Sequence, residues 1–141
     1  MHDMITLYSA TITTALTGAV GATYTPSFSE NSPFGTQLNG AIVGWKFTYG
    51  SGGTSAKAWV QTSFDGITWY DIAATGDMAV TSVAKIAGVI AQTPITTAVV
   101  ATDGTGTTIV SGVIGAMFRA KVTTTGTYAT ATTLVVYMYP Y

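Results

Sequence analysis

The sequence predicts an all-β protein, an antiparallel β-sandwich of jelly-roll or immunoglobulin-like type with about 7–9 short strands. Three observations support this fold class. Threonine makes up about a fifth of the 141 residues and, with valine, isoleucine and tyrosine, favours strands. Several runs alternate apolar and polar residues, as half-buried strands do. Glycine, asparagine and aspartate separate these runs at the spacing expected of a sandwich.

The N-terminal part contains one strand and one segment that cannot be a regular strand. Residues 4–16 alternate weakly and are rich in β-branched side chains, which indicates a strand. The segment beyond them contains Pro26 and Pro33, and proline removes backbone donors from a strand ladder. We therefore predict a single domain in which residues 1–40 form an N-terminal strand plus an extended arm or long loop, and residues 41–141 form the sandwich body.

Residues 41–49 show the clearest strand pattern, because large apolar side chains alternate with smaller or charged ones. The buried face predicted from this alternation consists of Val43, Trp45, Phe47 and Tyr49. A loop rich in glycine and serine follows over residues 50–55 and leads into the next strand.

Residues 56–74 are predicted to form a β-hairpin, because Asp65-Gly66 lies between two alternating runs. A two-residue loop would place Val60 opposite Asp71, whereas a type I turn with a bulge at Gly66 would place Val60 opposite Tyr70. We favour the second register, because it separates apolar from polar side chains. Its apolar face carries Ala58, Val60, Tyr70 and Ile72. Its other face carries Lys57, Trp59, Gln61, Trp69 and Asp71.

Two tryptophans of this hairpin share a face with charged residues, which leaves two interpretations open. Trp59 and Trp69 either pack across the strands beneath a covering loop or form a contact surface for another subunit.

The segments that follow the hairpin have weaker patterns. Residues 78–91 fit a helical stripe in part, but their β-branched content favours a strand, a loop and a second strand. Residues 94–102 are predicted to form a strand, 103–106 a turn, and 107–110 the start of another strand.

The last two strands are clearer. Residues 116–125 alternate, and their predicted core face consists of Phe118, Ala120 and Val122. Residues 131–141 have two apolar faces. One face carries Val135, Tyr137, Tyr139 and Tyr141, and the other carries Leu134, Val136 and Met138. Such a strand is central in a sandwich, or one of its faces meets a partner.

The composition excludes several classes of function. Hydrophobic residues make up 48% of the chain and charged residues only 8%, with a net charge of −1, so we expect much of the surface to be covered by neighbouring subunits. No basic patch for nucleic acid is present, and no apolar run is long enough for a membrane helix. Cysteine is absent, and the N-terminus lacks the basic region of a secretory signal, so we expect assembly in a cytoplasm.

No motif predicts a catalytic, cofactor-binding or metal-binding residue. His2 is the single histidine and lies at a chain terminus, where a catalytic triad cannot hold it. The aspartates at predicted turns, Asp65, Asp77 and Asp103, are explained by turn chemistry, since this side chain caps turns. A calcium site could draw on Asp65, Asp71 and Asp77, but the dense aspartate spacing of a dedicated calcium loop is absent.

Two motifs carry a resemblance to a known family. The run VQTSFDGITWYDIA at residues 60–73 and the run FRAKVTTTGT at 118–127 resemble sequences in small virion proteins of tailed bacteriophages. The resemblance implies a capsid decoration (cement) protein, β-sandwich or small barrel in fold and often trimeric, with arms that hold neighbouring capsomers. It implies location in the virion, the major capsid protein as partner, and no catalytic residues. Ser63–Trp69 also resembles the Asp-box of sialidase-type propellers, with one residue fewer, which implies a similar hairpin and not an activity.

On this interpretation, the candidate interface residues are aromatic side chains and the residues of the arm. They are Trp59, Trp69, Pro26, Phe28, Pro33, Phe34, Tyr137, Tyr139 and Tyr141. Two other functions remain open. One is a carbohydrate-binding or adhesive module that stacks sugars on Trp45, Trp59 or Trp69. The other is a tail-tube or filament subunit that polymerises through its terminal strands.

Overall fold

The computed structural model describes residues 3–26, 40–90, 98–105, 109 and 114–141. Within these ranges the chain forms ten strands and no helix, and hence no helix that could cross a membrane. The strands are β1 (Ile5–Thr11), β2 (Ala19–Val20), β3 (Gly40–Thr48), β4 (Ser51–Gly52), β5 (Ser55–Ser63), β6 (Tyr70–Ala74), β7 (Val83–Ile90), β8 (Met117–Thr125), β9 (Tyr128–Ala129) and β10 (Thr133–Pro140). Three of them have only two residues, and each of the other seven lies in a segment where a strand was predicted.

The strands form two four-stranded antiparallel sheets and one small ribbon. The first sheet has the order β1-β10-β3-β7, the second has the order β2-β8-β5-β6, and β4 pairs with β9. The hydrophobic core contains buried side chains of both large sheets, which therefore pack as the two layers of a sandwich. The predicted all-β antiparallel sandwich is confirmed.

In the central strands, the side chains predicted to face the core are buried. Val43, Trp45 and Phe47 of β3 are buried, and so are Phe118, Ala120 and Val122 of β8. In β10, Leu134, Val136 and Met138 are fully buried. β10 lies between β1 and β3 over residues 133–138, so it is a central strand with its second apolar face on the outside of the sandwich.

The hairpin of β5 and β6 has neither of the two predicted registers. Thr62 lies opposite Tyr70 and Gln61 opposite Asp71, while Val60 lies opposite Ala73. The first reason is that the connection is longer than a tight turn, because the Asp65 carboxylate accepts backbone hydrogen bonds that hold an extended loop.

The second reason for the different register is a β-bulge in β6. Ile72 has no partner on β5 between the pairs formed by its two neighbours. Ile72 and the adjacent Ala73 are therefore both buried in the core. The predicted faces survive this shift in part: Ala58, Val60 and Ile72 lie in the core, whereas Tyr70 is only half-buried.

Three predictions for the segments around β7 are corrected or fall outside the described residues. The segment predicted as two strands at 78–91 contains one described strand, β7, because pairing with β3 extends from Val83 to Ile90; residue 91 lies outside the described residues. Residues 98–102 are not a strand, since side-chain hydrogen bonds attach their end to the second sheet. Residues 94–97 and most of 107–110 lie outside the described residues.

The start of the predicted arm folds back onto the second sheet. Tyr24 forms a bridge with Phe118, with two backbone hydrogen bonds of 2.8 Å, and Pro26 is buried. Phe28, Pro33 and Phe34 lie outside the described residues, so the arm itself remains a prediction.

Candidate functional site

The outer side of the second sheet carries a polar cluster, which we call the outer network (Gln61, Asp71, Asp103 and Arg119). The Gln61 and Asp71 side chains lie on adjacent strands and are fully buried. Gln61 Nε2 donates to Asp71 Oδ1 at 2.7 Å and to Asp103 Oδ1 at 3.1 Å. Arg119 donates from Nε to Gln61 Oε1 at 2.8 Å and from Nη2 to Asp103 Oδ1 at 2.9 Å.

The outer network holds a loop against the sheet. The Thr102 hydroxyl donates to Asp71, and the Gly104 amide donates to both Asp71 carboxylate oxygens at 2.9 and 2.8 Å. Lys121 Nζ donates to the Asp103 carbonyl at 2.7 Å and pairs with its carboxylate at 3.1 Å. Both carboxylates therefore take part in holding the loop against the sheet.

The role of the Asp103 carboxylate differs from the turn-capping role predicted from the sequence. Partial burial would raise its pKa, but hydrogen bonds from Lys121 and Gln61 and the charges of Lys121 and Arg119 lower it. Its carboxylate thus pairs with cations of β8 instead of capping its own turn. This role could not be read from an Asp-Gly turn alone, because it depends on which strand the loop covers.

The two tryptophans of the hairpin lie on the outer side of the second sheet, next to the outer network. Trp59 is 7% and Trp69 4% exposed, and neither belongs to the core between the sheets. The Arg119 guanidinium lies 4.0 Å from the centre of the Trp69 ring, and the Trp69 indole donates to the Gly66 carbonyl at 3.3 Å. Of the two interpretations left open, packing beneath a covering side chain describes Trp69 in the single chain, whereas Trp59 lines a groove beside Gly104 and Thr105.

The loop after β5 is organised by Asp65. Its carboxylate accepts hydrogen bonds from the Thr68 and Ile67 amides, both at 2.8 Å, and from the Ser63 hydroxyl. The two amide bonds are the main reason that the pKa of Asp65 is lowered to about 2. The predicted turn role of Asp65 is confirmed, as is that of Asp77, which accepts from the amides of Ala56 and Ala79.

The same loop displays two large apolar side chains that sequence reasoning did not select. Phe64 and Ile67 are exposed, Ile67 to 83%. They flank the residues that Asp65 fixes, so they project from an ordered loop. Their position beside Asp65-Gly66 could have identified them, because side chains at the end of a hairpin project away from the core.

The outer side of the first sheet presents a continuous apolar surface. We call it the tyrosine–isoleucine face (Ile42, Ile86, Tyr137, Tyr139 and Tyr141). The strand registers place Ile42 beside Tyr139, and Ile86 beside Gly44, whose other neighbour is Tyr137. Ile86 is 79% exposed, and Ile42, Tyr139 and Tyr141 are also exposed.

Glycine keeps this face flat. A Cβ at Gly44 would lie 3.1 Å from the Tyr137 ring, so the ring covers the glycine backbone. Lys46 is the charged residue that the paired stretches of β3, β10 and β7 place on this side. Three of the predicted interface residues, Tyr137, Tyr139 and Tyr141, thus lie together on one surface, on the opposite sheet from Trp59 and Trp69.

Trp45 differs from the other tryptophans. It is buried in the core, and its Nε1 is the one buried side-chain polar atom in the described part of the chain without a hydrogen-bond partner. Its ring therefore offers no surface on which a sugar could stack.

Among the described residues, no group of three or more histidine, cysteine, aspartate or glutamate side chains could hold a metal ion. His2 and Glu30 lie outside them. No protein-family model, curated protein or solved structure matches the chain, so the functional argument depends on its own residues and geometry.

Proposed function

We propose that the protein is a non-enzymatic structural subunit of a tailed-phage virion, which decorates and stabilises the capsid through contacts with the major capsid protein and with its own copies. The virion location and the trimeric state rest on the resemblance in residues 60–73 and 118–127. The observation that carries the structural role is the tyrosine–isoleucine face.

The size of this face suits a subunit contact. The tyrosine–isoleucine face is part of the outer side of the first sheet, whose four strands, spaced about 4.8 Å apart and each about eight residues long at ~3.3 Å per residue, cover about 500 Å². Contact over that whole side, centred on the face, would bury about 1,000 Å² in total, which is the size at which specific interfaces begin. Exposed apolar patches of this area on soluble proteins mark interaction surfaces.

The charge distribution supports the same proposal. The chain has five basic and six acidic residues, and its net charge of −1 gives copies little reason to repel each other. Three of the cations, Arg119, Lys121 and Lys85, bind within the fold through groups on other strands or loops. Burial of the tyrosine–isoleucine face would desolvate only one lysine at its side, Lys46.

Self-association is tested by sedimentation velocity and light scattering on the wild type and two variants. Ile86→Lys places a charge in the middle of the face, and we expect oligomers to weaken at least tenfold. Val20→Lys is the matched control, because Val20 is an exposed apolar residue on the second sheet. A wild type that stays monomeric up to its solubility limit would overturn the proposal, and so would equal effects of the two substitutions.

The capsid role is tested on heads assembled from the major capsid protein of the phage that encodes this chain. We expect the wild type to co-sediment with heads and to raise the temperature at which the heads disassemble, and Ile86→Lys to do neither. Electron micrographs that show tubes or filaments of the isolated protein would instead favour a tail-tube or filament subunit.

A further inference from the structure

A groove of about 360 Å³ opens on the outer side of the second sheet, next to the loop that the outer network holds. Its size lies at the lower end of the range for small-molecule sites. It is lined by Lys57, Trp59, Ala74, Gly76, Asp77, Gly104, Thr105 and Thr123. The groove is separate from the tyrosine–isoleucine face, which lies on the other sheet.

Trp59 supplies the aromatic part of the groove. Its Nε1 donates no hydrogen bond to any described residue, yet it is not among the buried polar atoms that lack a partner, as Trp45 Nε1 is. The Trp59 N–H thus has no partner among the described residues, and Trp59, 7% exposed, is one of the residues that line the groove. Tyrosine and tryptophan are well suited to such sites, since they combine an apolar ring with one polar group.

Asp77 supplies an acceptor. Its Oδ1 accepts hydrogen bonds from the Ser55 hydroxyl at 3.1 Å, from the Ala56 amide at 3.1 Å and from the Ala79 amide at 2.9 Å. Three donors thus hold the carboxylate in place through one oxygen. The other oxygen, Oδ2, has no hydrogen-bond partner among the described residues, so an immobilised acceptor remains for a ligand.

Lys57 supplies a donor on the same wall. Its ammonium forms no salt bridge or hydrogen bond with a described residue. It lies close enough to Asp77 for its charge to contribute to lowering the pKa of that carboxyl, together with the Ala79 and Ala56 amides and against the effect of burial. One positive and one negative group therefore line the groove, and their charges cancel.

These groups select the chemistry of the ligand. A charged ligand would meet one group of its own sign, whereas a neutral polyol can donate to Asp77 and accept from Lys57 and Trp59. The Thr105 hydroxyl donates to the Thr102 carbonyl and can still accept, and the Thr123 hydroxyl accepts from the Gly18 amide and can still donate. The small residues Ala74 and Gly76 leave room for a ring to lie against the sheet. We propose that this groove binds a neutral saccharide unit of one or two rings, with Trp59, Lys57 and Asp77 as its main contacts.

The proposal is tested by saturation-transfer NMR with glucose, galactose, N-acetylglucosamine and maltose, and by Trp fluorescence titration. We expect at least one sugar to bind with a Kd in the millimolar range, typical of a shallow site with few polar contacts. Lys57→Ala and Thr123→Ala should each weaken binding at least fivefold. Lys46→Ala, on the opposite sheet, is the matched control and should change nothing.

Folding of each variant is checked by the dispersion of its amide NMR spectrum, and Ala74→Leu, which narrows the groove without removing a hydrogen bond, provides a second test. It should also abolish binding. The proposal is overturned if no sugar shows saturation transfer, if the Lys57 and Thr123 variants bind as the wild type does, or if glycine and alanine as zwitterions bind in preference. None of these measurements depends on self-association, so they leave the proposed structural role to its own experiments.

Discussion

Single carboxylates determine the local shape of this chain more than its few ion pairs do. Asp65, Asp71 and Asp77 each accept two or more hydrogen bonds from backbone amides or polar side chains. Because these acceptors replace strand partners where a ladder ends, loops stay ordered without burying much apolar surface. Sequence reasoning identified the turn role of Asp65 and Asp77 from the neighbouring glycines. It could not assign Asp71, since that role requires knowing which loop covers β6.

Asp65 gives a pH-dependent prediction at the residue scale. Its pKa is lowered to about 2 from 3.8, so its contribution to stability is fully present above about pH 4 and is lost as the pH falls through 2. We expect a carboxyl ¹³C titration to show a midpoint near 2. In Asp65→Ala, the Ile67 and Thr68 amides should exchange with solvent faster at neutral pH.

Asp3→Ala serves as the control for this measurement, because Asp3 is exposed near the chain terminus. A wild-type midpoint at the ordinary value for aspartate, or unchanged exchange of both amides, would contradict the assigned role of Asp65.

At the scale of elements, the alternation of apolar and polar residues was sufficient to predict the strands that have one clear core face. β3, β8 and β10 follow their predicted patterns, because a strand between two neighbours has to place every second side chain in the core. The hairpin of β5 and β6 was less predictable. Its register depends on the hydrogen bonds of the Asp65 loop and on the bulge at Ile72, and neither changes the hydrophobic pattern.

The candidate surfaces, like the strands, could be predicted from the sequence only in part. The three C-terminal tyrosines could be placed on one face, since they alternate along a single strand. The contribution of Ile42 and Ile86 could not be foreseen, because it comes from the pairing of β3 with β10 and β7. The groove beside Trp59 combines residues from three strands and two loops, so no local pattern reveals it.

The attachment of the 98–105 loop to the second sheet gives a prediction at this scale. Asp71→Ala removes the acceptor of the Thr102 hydroxyl and the Gly104 amide and leaves Gln61 with one fewer partner in a buried site. We expect a loss of about 3 kcal/mol in the free energy of unfolding, measured by urea titration with Trp fluorescence.

In the same variant, Asp103 is no longer held in place to bind Arg119, whose guanidinium lies over the Trp69 ring. The fluorescence of Trp69 in the folded state should therefore change. Tyr139→Ser, on the other sheet, is the control and should cost the fold little. An unchanged urea midpoint in Asp71→Ala would show that the outer network does not hold the loop.

For the whole molecule, the chain order of the strands matters most. β1 pairs with β10, so Ile5 lies beside Met138, and the first sheet cannot be completed until nearly the whole chain has been brought together. The second sheet likewise joins β5 to β8 across the intervening β7. Composition predicted the sandwich but not this order, because many strand orders satisfy the same alternation.

This topology predicts slow folding for a small domain. Long-range pairing imposes loop-closure entropy before any contact is gained, so we expect the main refolding phase to take milliseconds to seconds. Stopped-flow dilution from urea, followed by the fluorescence of the three buried tryptophans, measures it. Refolding within microseconds would mean that local hairpins, and not the pairing of β1 with β10, limit the rate.

The pairing of β1 with β10 also determines how the protein responds to force. These strands run in opposite directions, so the beginning of one and the end of the other lie side by side. Tension applied at those two points loads the strands in an unzipping geometry. The hydrogen bonds between β1 and β10 then break one after another, so the mechanical resistance is small. A force spread over the outer surface of the first sheet acts instead on many hydrogen bonds at once. The protein would therefore resist deformation better if a larger particle held it by that surface.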